Sequence, residues 1–380
     1  MAARPALRPD GSTGADPLGA FFDARGAVRV ETPILQPADP YLDTAGEAFR
    51  RRIFLTRGEG GEALCLRPDF TIPVCIAHIA AGAGLPRRYA YDGTIFRQRG
   101  DGASEFRQAG IEDLGDADRA GADARALAAA LEAMALLGLD GAGLTLVLGD
   151  QALFEAFLKG LGLPAGWQRR LVRTFGHDGL LERALGDLSR GGDAGLAGID
   201  PHIADLARQG RLEEIADDLD ARMEAAGLPP HRRRTGAEIA ARLAEKVADA
   251  DTRLDAGALA QLRAFLSIDC PLSQAVAALK ASASGAGAGL GTALAFFEAR
   301  NAALERAGLD LAGLRYRAAF GRPIDYYTGL VFEIAQGGGE PLAAGGRYDR
   351  LVSYLGAREP IPAVGFSVWM DRAALAKGAA

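Results

Sequence analysis

Cysteine is scarce in this 380-residue chain: Cys65, Cys75 and Cys270 are all there are, without C-x-x-C spacing. Four histidines, His78, His177, His202 and His231, are scattered, and no H-E-x-x-H helix occurs. No disulfide framework, metal site or cofactor is therefore expected, and the thiols read as incidental or buried in a reducing compartment. Long apolar runs are also missing. Nowhere do about 18 apolar residues follow one another, and the N-terminus lacks the apolar segment of an export signal. A cytoplasmic protein with no membrane contact is expected. Neither G-x-x-x-x-G-K nor the glycine fingerprint of a dinucleotide fold is present, so the Gly/Ser/Ala run near 282–289 reads as a linker rather than a phosphate cradle. Basic charge is not in excess. Forty-three Lys and Arg stand against 49 Asp and Glu, a net −6, so no broad field draws in phosphate backbones.

Hydrophobic residues make up 49% of the chain and its 50 glycines follow no fixed period, which fits a globular protein of two or three domains. Residues 1–15 are expected to form a loose tail. A helix near 16–25 and an extended Val28–Pro33 follow. Arg52–Thr56 and Ala63–Arg67 flank a glycine-rich turn and read as a hairpin. A helix is expected over 69–82, then strands at Arg88–Asp92, Ile95–Arg97 and Phe106–Leu114, the last two joined by a polar loop. Apolar residues recur at helical spacing from Asp116 to Leu137, with Gly138 placed as a C-cap. Leu144–Leu148 reads as a strand, with a helix from Gln151. From 164 onward the texture becomes Ala, Leu, Arg, Asp and Glu at helical periodicity, and a helix over 291–307 returns the chain to β-rich sequence. The expected organisation is a discontinuous core, 16–163 and 290–380, interrupted by a helical insertion over 164–289. Strands that do not alternate regularly with helices point to an α+β fold with an antiparallel-looking sheet.

Three segments carry candidate chemistry. In Leu66-Arg67-Pro68-Asp69-Phe70-Thr71, Asp69 and Thr71 share a face if extended and could grip an amino group; on local sequence alone either one would instead cap the next helix. In Phe106-Arg107-Gln108-Ala109-Gly110-Ile111-Glu112, Gln108 and Glu112 are four apart on a strand and share a face. Read locally, they are polar outer-face residues. Arg322-Pro323-Ile324-Asp325-Tyr326-Tyr327 offers an arginine and an aromatic wall, or simply an edge strand whose tyrosines pack.

These segments, with Ile95-Phe96-Arg97-Gln98-Arg99, Gly345-Gly346-Arg347-Tyr348-Asp349-Arg350 and Val364-Gly365-Phe366-Ser367-Val368-Trp369-Met370-Asp371-Arg372, resemble the catalytic core of histidyl-tRNA synthetases. The resemblance covers roughly residues 16–150 and 310–375. It implies a class II synthetase sheet and a histidine pocket formed by Asp69, Thr71, Arg97, Gln108, Glu112, Arg322, Tyr326 and Tyr327. Asp69 stands where the family has Glu, and Pro323 where it has Gly. The ATP-facing positions depart further. Arg99 replaces an acidic residue, the loop before Phe106 is short, and Trp369 occupies the place of a small glycine, while Arg372 is kept. Arg99, Trp369 and Arg372 therefore read as a vestigial ATP site. Only eight residues follow Arg372, too few for the anticodon-binding domain of a working synthetase.

This combination is similar to the regulatory subunits of ATP phosphoribosyltransferase. It implies a non-catalytic chain that pairs with a short catalytic subunit, acts at the first step of histidine biosynthesis, takes part in histidine feedback, and forms a homodimer within a hetero-oligomer. No tRNA is expected as a partner. A second reading is a synthetase paralogue that still makes histidyl-adenylate or aminoacylates another acceptor. A third is one piece of a two-piece synthetase.

Overall fold

A computed structural model of the chain describes residues 6–7, 17–44, 47–99, 103–140, 143–190, 196, 198–225, 235–283, 290–322 and 326–379. Most of the expected tail, residues 100–102 of the polar loop, His231, the 284–289 part of the linker, and Pro323, Ile324 and Asp325 of the tyrosine segment lie outside the described residues.

The strands are β1 (Ala6–Leu7), β2 (Val28–Glu31), β3 (Leu35–Pro37), β4 (Leu55–Arg57), β5 (Ala63–Leu66), β6 (Arg87–Phe96), β7 (Glu105–Leu114), β8 (Leu144–Asp150), β9 (Asp269–Pro271), β10 (Arg315–Arg317), β11 (Leu330–Gln336), β12 (Pro341–Arg347) and β13 (Ala363–Trp369). Ten of them make one sheet in the order β1-β2-β6-β7-β13-β12-β11-β8-β10-β9, and β3-β5-β4 form a separate small sheet. The centre of the large sheet, from β6 to β8, is antiparallel throughout. Parallel contacts occur only towards its two ends, β2 with β6 and β8 with β10. This is the α+β architecture expected.

Two local readings need correction. Arg88–Asp92 and Ile95–Phe96 are one strand, β6, paired with β7 along its whole length. Gly93 resembles a break in the sequence, but its bare Cα answers a packing need: a Cβ there would lie 3.1 Å from the Phe70 ring. The other correction is β9, which lies in a stretch that reads as helical and pairs with β10. A three-residue strand leaves no periodicity to detect.

Both faces of the sheet are covered, and the alternation of side chains along each strand assigns them. On β6, Ala90 enters one core cluster, with the helices Arg119–Leu136, Gln151–Gly160 and Gly291–Arg306, while Tyr89 and Tyr91 enter the other, under the helices Thr71–Ala81 and Asp349–Tyr354. The long helical stretch packs in two ways. Trp167, Leu171, Leu188, Leu262 and Phe265 join the first cluster. The helices Pro201–Arg208, Leu212–Ala225 and Gly236–Asp251 instead close around their own small cluster of Ile203, Leu206, Ile215 and Ala240.

Buried charge ties the first layer together. Arg347, at the end of β12, pairs with Asp123 at 2.7 Å, and Arg300 pairs with Asp150 at 2.7 Å. All four side chains are 2% exposed or less, so each pair must satisfy its partner or leave an uncompensated charge in the core.

Candidate functional site

The face of β7 that carries Gln108, Gly110 and Glu112 meets Trp369, Ser367 and Gly365 of β13, each directly opposite its partner. Two glycines on this face make room. A Cβ on Gly365 would lie 1.8 Å from Glu112 Oε2, and one on Gly110 would lie 2.5 Å from the Tyr91 hydroxyl. The hollow that results is lined by Asp69, Thr71, Arg97, Gln108, Glu112, Arg322, Tyr326 and Tyr327. All eight candidate histidine-facing residues thus come together, from segments separated by more than 200 positions of chain. Tyr348, Ser367 and Trp369 complete the wall.

Glu112 is the hub. Its Oε1 accepts from Thr71 Oγ1 at 2.7 Å and from the Tyr91 hydroxyl at 3.4 Å, and its Oε2 accepts from the Tyr348 hydroxyl. Tyr91 also shares a 2.7 Å hydrogen bond with Ser367. Burial pushes the Glu112 carboxyl up to about 7; the hydrogen bonds from Tyr348 and Thr71 oppose that rise, and the neighbouring Asp69 adds to it. Asp69 is raised as well, chiefly by burial, with Arg97 working against the shift. Two buried carboxyls side by side favour a cation or a shared proton between them.

Asp69 joins the start of the next helix to the hollow. Its Oδ1 accepts from Ile72 N at 3.3 Å, in the first turn of the helix Thr71–Ala81, while the side chain also lines the hollow. Thr71 does not cap, since its hydroxyl is turned to Glu112. Arg97 donates through Nε to Pro68 O at 2.7 Å and lies 4.8 Å from the Phe49 ring centre, which fixes the guanidinium at the rim. Burial lowers it to about 10, and the Asp69 charge counters that fall, so it stays cationic at neutral pH.

On the opposite wall, Arg322 Nη1 stands 2.9 Å from Glu333 Oε1, an ionic approach without hydrogen-bond alignment, and Arg322 Nε has no acceptor among the described residues. Trp369 lies against two guanidiniums, 5.4 Å from Arg322 and 5.1 Å from Arg372. Arg372 turns away from the hollow, donating to Pro341 O at 2.8 Å and pairing with Glu340. Arg99 lies 4.0 Å over the Phe106 ring. Neither Arg99 nor Arg372 lines the hollow, so the three residues read as an ATP remnant are divided by the structure: only Trp369 faces it.

The hollow measures about 30 Å³, room for about two waters at about 10–15 Å³ each. An amino acid enters only if lining side chains move. Two buried polar atoms beside it, Gln108 Oε1 and Trp369 Nε1, have no hydrogen-bond partner among the described residues, and each such orphan costs about 1–3 kcal/mol.

Sequence reasoning missed Tyr91, Tyr348 and Ser367. Tyr348 lies inside the Gly345–Arg350 segment, whose pattern was visible, but nothing local says that its hydroxyl reaches Glu112. Among the described residues no group of metal-ligating side chains gathers, and no helix is long and apolar enough to cross a membrane.

The family model for histidyl-tRNA synthetase matches residues 13–188 and 196–373. Two solved structures share the fold. An ATP phosphoribosyltransferase regulatory subunit/histidyl-tRNA synthetase from Bacillus halodurans superposes with a TM-score of 0.63 at 21% identity, covering 95% of this chain and 77% of that one. A histidyl-tRNA synthetase from Nostoc sp. PCC 7120 gives 0.61 at 18% identity, covering 96% and 70%. Fold and hollow together define a histidyl-tRNA synthetase-like protein of class II architecture. Curated relatives narrow this. A chain from Allorhizobium ampelinum is 56% identical over 94% of this chain and 95% of its own length, and one from Sinorhizobium medicae is 52% identical over 95% and 96%; each is named ATP phosphoribosyltransferase regulatory subunit. The chain belongs to the family of ATP phosphoribosyltransferase regulatory subunits.

Proposed function

We propose that this chain performs no bond chemistry itself and serves a short catalytic subunit, in which ATP and phosphoribosyl pyrophosphate are joined, as activator and histidine sensor in the cytoplasm. It does so as a homodimer within the hetero-oligomer. The observation that carries the sensor reading is the convergence of eight residues from distant segments on one hollow, with two carboxyls at its centre and two arginines at its walls. A histidine zwitterion answers that arrangement. Its ammonium group meets Asp69, Thr71 and the orphan Gln108 Oε1, its carboxylate meets Arg97 or Arg322, and its imidazole meets Glu112 beside Tyr326 and Tyr327.

The tightness of the hollow supports a regulatory role. Histidine can enter only by displacing lining groups, with the Tyr348–Glu112 contact and the Arg322–Trp369 stack the ones in its way. A ligand that binds the opened arrangement better than the closed one shifts the balance by its difference in affinity, and the coupling to a partner site is about 1–3 kcal/mol in typical systems. Trp369 supports the loss of nucleotide binding, because its indole already occupies the ground between Arg322 and Arg372. Isolated protein should therefore bind histidine and show no histidine-dependent pyrophosphate–ATP exchange. Clear exchange would return the protein to the adenylating class.

A further inference from the structure

A second cavity, of about 290 Å³, lies beside the first. It is bounded by the helices Ala165–Thr174 and Asp349–Tyr354, and Arg322 and Tyr326 line both hollows. Its size falls near the lower end of small-molecule sites, about 300–1,000 Å³, and is too small for a partner's helix.

Its chemistry is divided. Phe175, Leu351 and Tyr326 are 4%, 1% and 8% exposed and make an apolar wall, with the Tyr354 ring at the mouth. Four arginines, Arg169, Arg173, Arg322 and Arg350, line the same space against one carboxylate, Asp43. Three of these are already engaged: Arg169 with Glu245 at 2.8 Å, Arg350 with Glu155 at 2.6 Å, and Arg322 with Glu333 at 2.9 Å. The engagement is incomplete at Arg322, whose side chain is 10% exposed with no acceptor for its Nε among the described residues. Arg173 has no carboxylate partner among the described residues. The three paired carboxylates do not line the cavity, which leaves Arg173 and the Arg322 Nε as the donors still open to a ligand among the described residues.

We propose that this cavity binds a small phosphate monoester carrying a planar ring, of the nucleoside monophosphate class. The phosphate sits against Arg173 and the buried Arg322, for which a planar guanidinium fork is suited. The ring packs on Phe175, Tyr326 and Tyr354. Gln151, the nearest amide, already donates to Glu155 at 3.0 Å, so nothing reads the base edge strongly and a pyrimidine serves as well as a purine.

Calorimetric titration of the full chain with uridine 5′-monophosphate, uridine and ribose 5-phosphate tests the proposal. The monophosphate should bind with a dissociation constant below about 1 mM, and each half-ligand at least about tenfold more weakly. Arg173→Glu, at an exposed position, should weaken the monophosphate by at least about tenfold, the scale of a lost charge-assisted hydrogen bond. Tyr354→Ala, at an exposed ring, should weaken it while leaving ribose 5-phosphate unchanged, and Arg372→Ala should leave it within about twofold. Absence of monophosphate binding at about 5 mM, or binding that survives Arg173→Glu, overturns the proposal. Binding that instead disappears with Arg372→Ala also overturns it, since the nucleotide would then lie against Trp369. The titrations are run without histidine, which would share Arg322, so failure here leaves the histidine reading of the smaller hollow untouched.

Discussion

Replacing Glu112 by Gln removes the titration at the hub of the smaller hollow. The carboxyl is 1% exposed and burial raises it from 4.5 to about 7. Below the unfolded value both states carry the proton, and its contribution to stability is fully present. As pH rises between 4.5 and about 7 the unfolded chain loses the proton while the folded chain keeps it, so the contribution is lost through the folded value. A shift of that size, at about 1.4 kcal/mol per unit, amounts to about 3 kcal/mol. Glu112→Gln keeps a carbonyl acceptor for one of Thr71 and Tyr348, turns an amide donor to the other hydroxyl, and does not titrate. The stability of wild type minus that of the variant should therefore fall by about 3 kcal/mol between pH 4.5 and pH 8. Urea unfolding of both proteins at half-unit pH steps measures the difference, with constant urea slopes confirming that only stability has changed. A difference that stays flat across this range would refute the reasoning, for it would mean that the carboxyl is solvated or already paired with a cation in the free protein.

Other perturbations give separate checks. Asp123→Ala removes the buried carboxylate that pairs with Arg347 and also lies 3.7 Å from Arg300, and should cost about 3–5 kcal/mol in urea unfolding. Gly365→Ala drives a methyl group into Glu112 and should cost about 1–3 kcal/mol and abolish histidine binding, read by calorimetry after the fold is checked by circular dichroism. Arg322→Ala should weaken histidine by at least about tenfold and blunt feedback in the assembled enzyme; unchanged values for both would remove Arg322 from the site. Trp369→Gly should cost about 3–5 kcal/mol of stability as the indole's packing is lost. If the indole alone excludes nucleotide, the same variant gains measurable ATP binding.

Much of the hollow was legible because strand periodicity is strict. Gln108 and Glu112, four apart, had to share a face, and the resemblance implies a histidine-facing role for it. Asp69 shows the limit of local reading. An amino-group grip and a helix cap competed as alternatives in the sequence, whereas the buried side chain accepts from Ile72 N in the helix's first turn while lining the hollow. Thr71 shows another, since its partner Glu112 is 41 residues away and no local pattern encodes that contact. Tyr348 was passed over for the same reason. The strand split at Asp92 in the sequence runs on unbroken through Gly93, which makes room for Phe70. The tightness of the hollow was not readable at all, being set by how Arg97, Arg322, Tyr326, Tyr327, Tyr348 and Trp369, from segments far apart in the chain, fill the ground between them.

The most direct test of the central claim is calorimetric titration of the purified chain with histidine and then with ATP, alone and with the catalytic subunit present. The account predicts saturable histidine binding, weakened by Arg322→Ala, and no ATP binding by the isolated chain. Tight ATP binding with histidine-dependent pyrophosphate exchange, or no histidine binding even in the assembled enzyme, would contradict it.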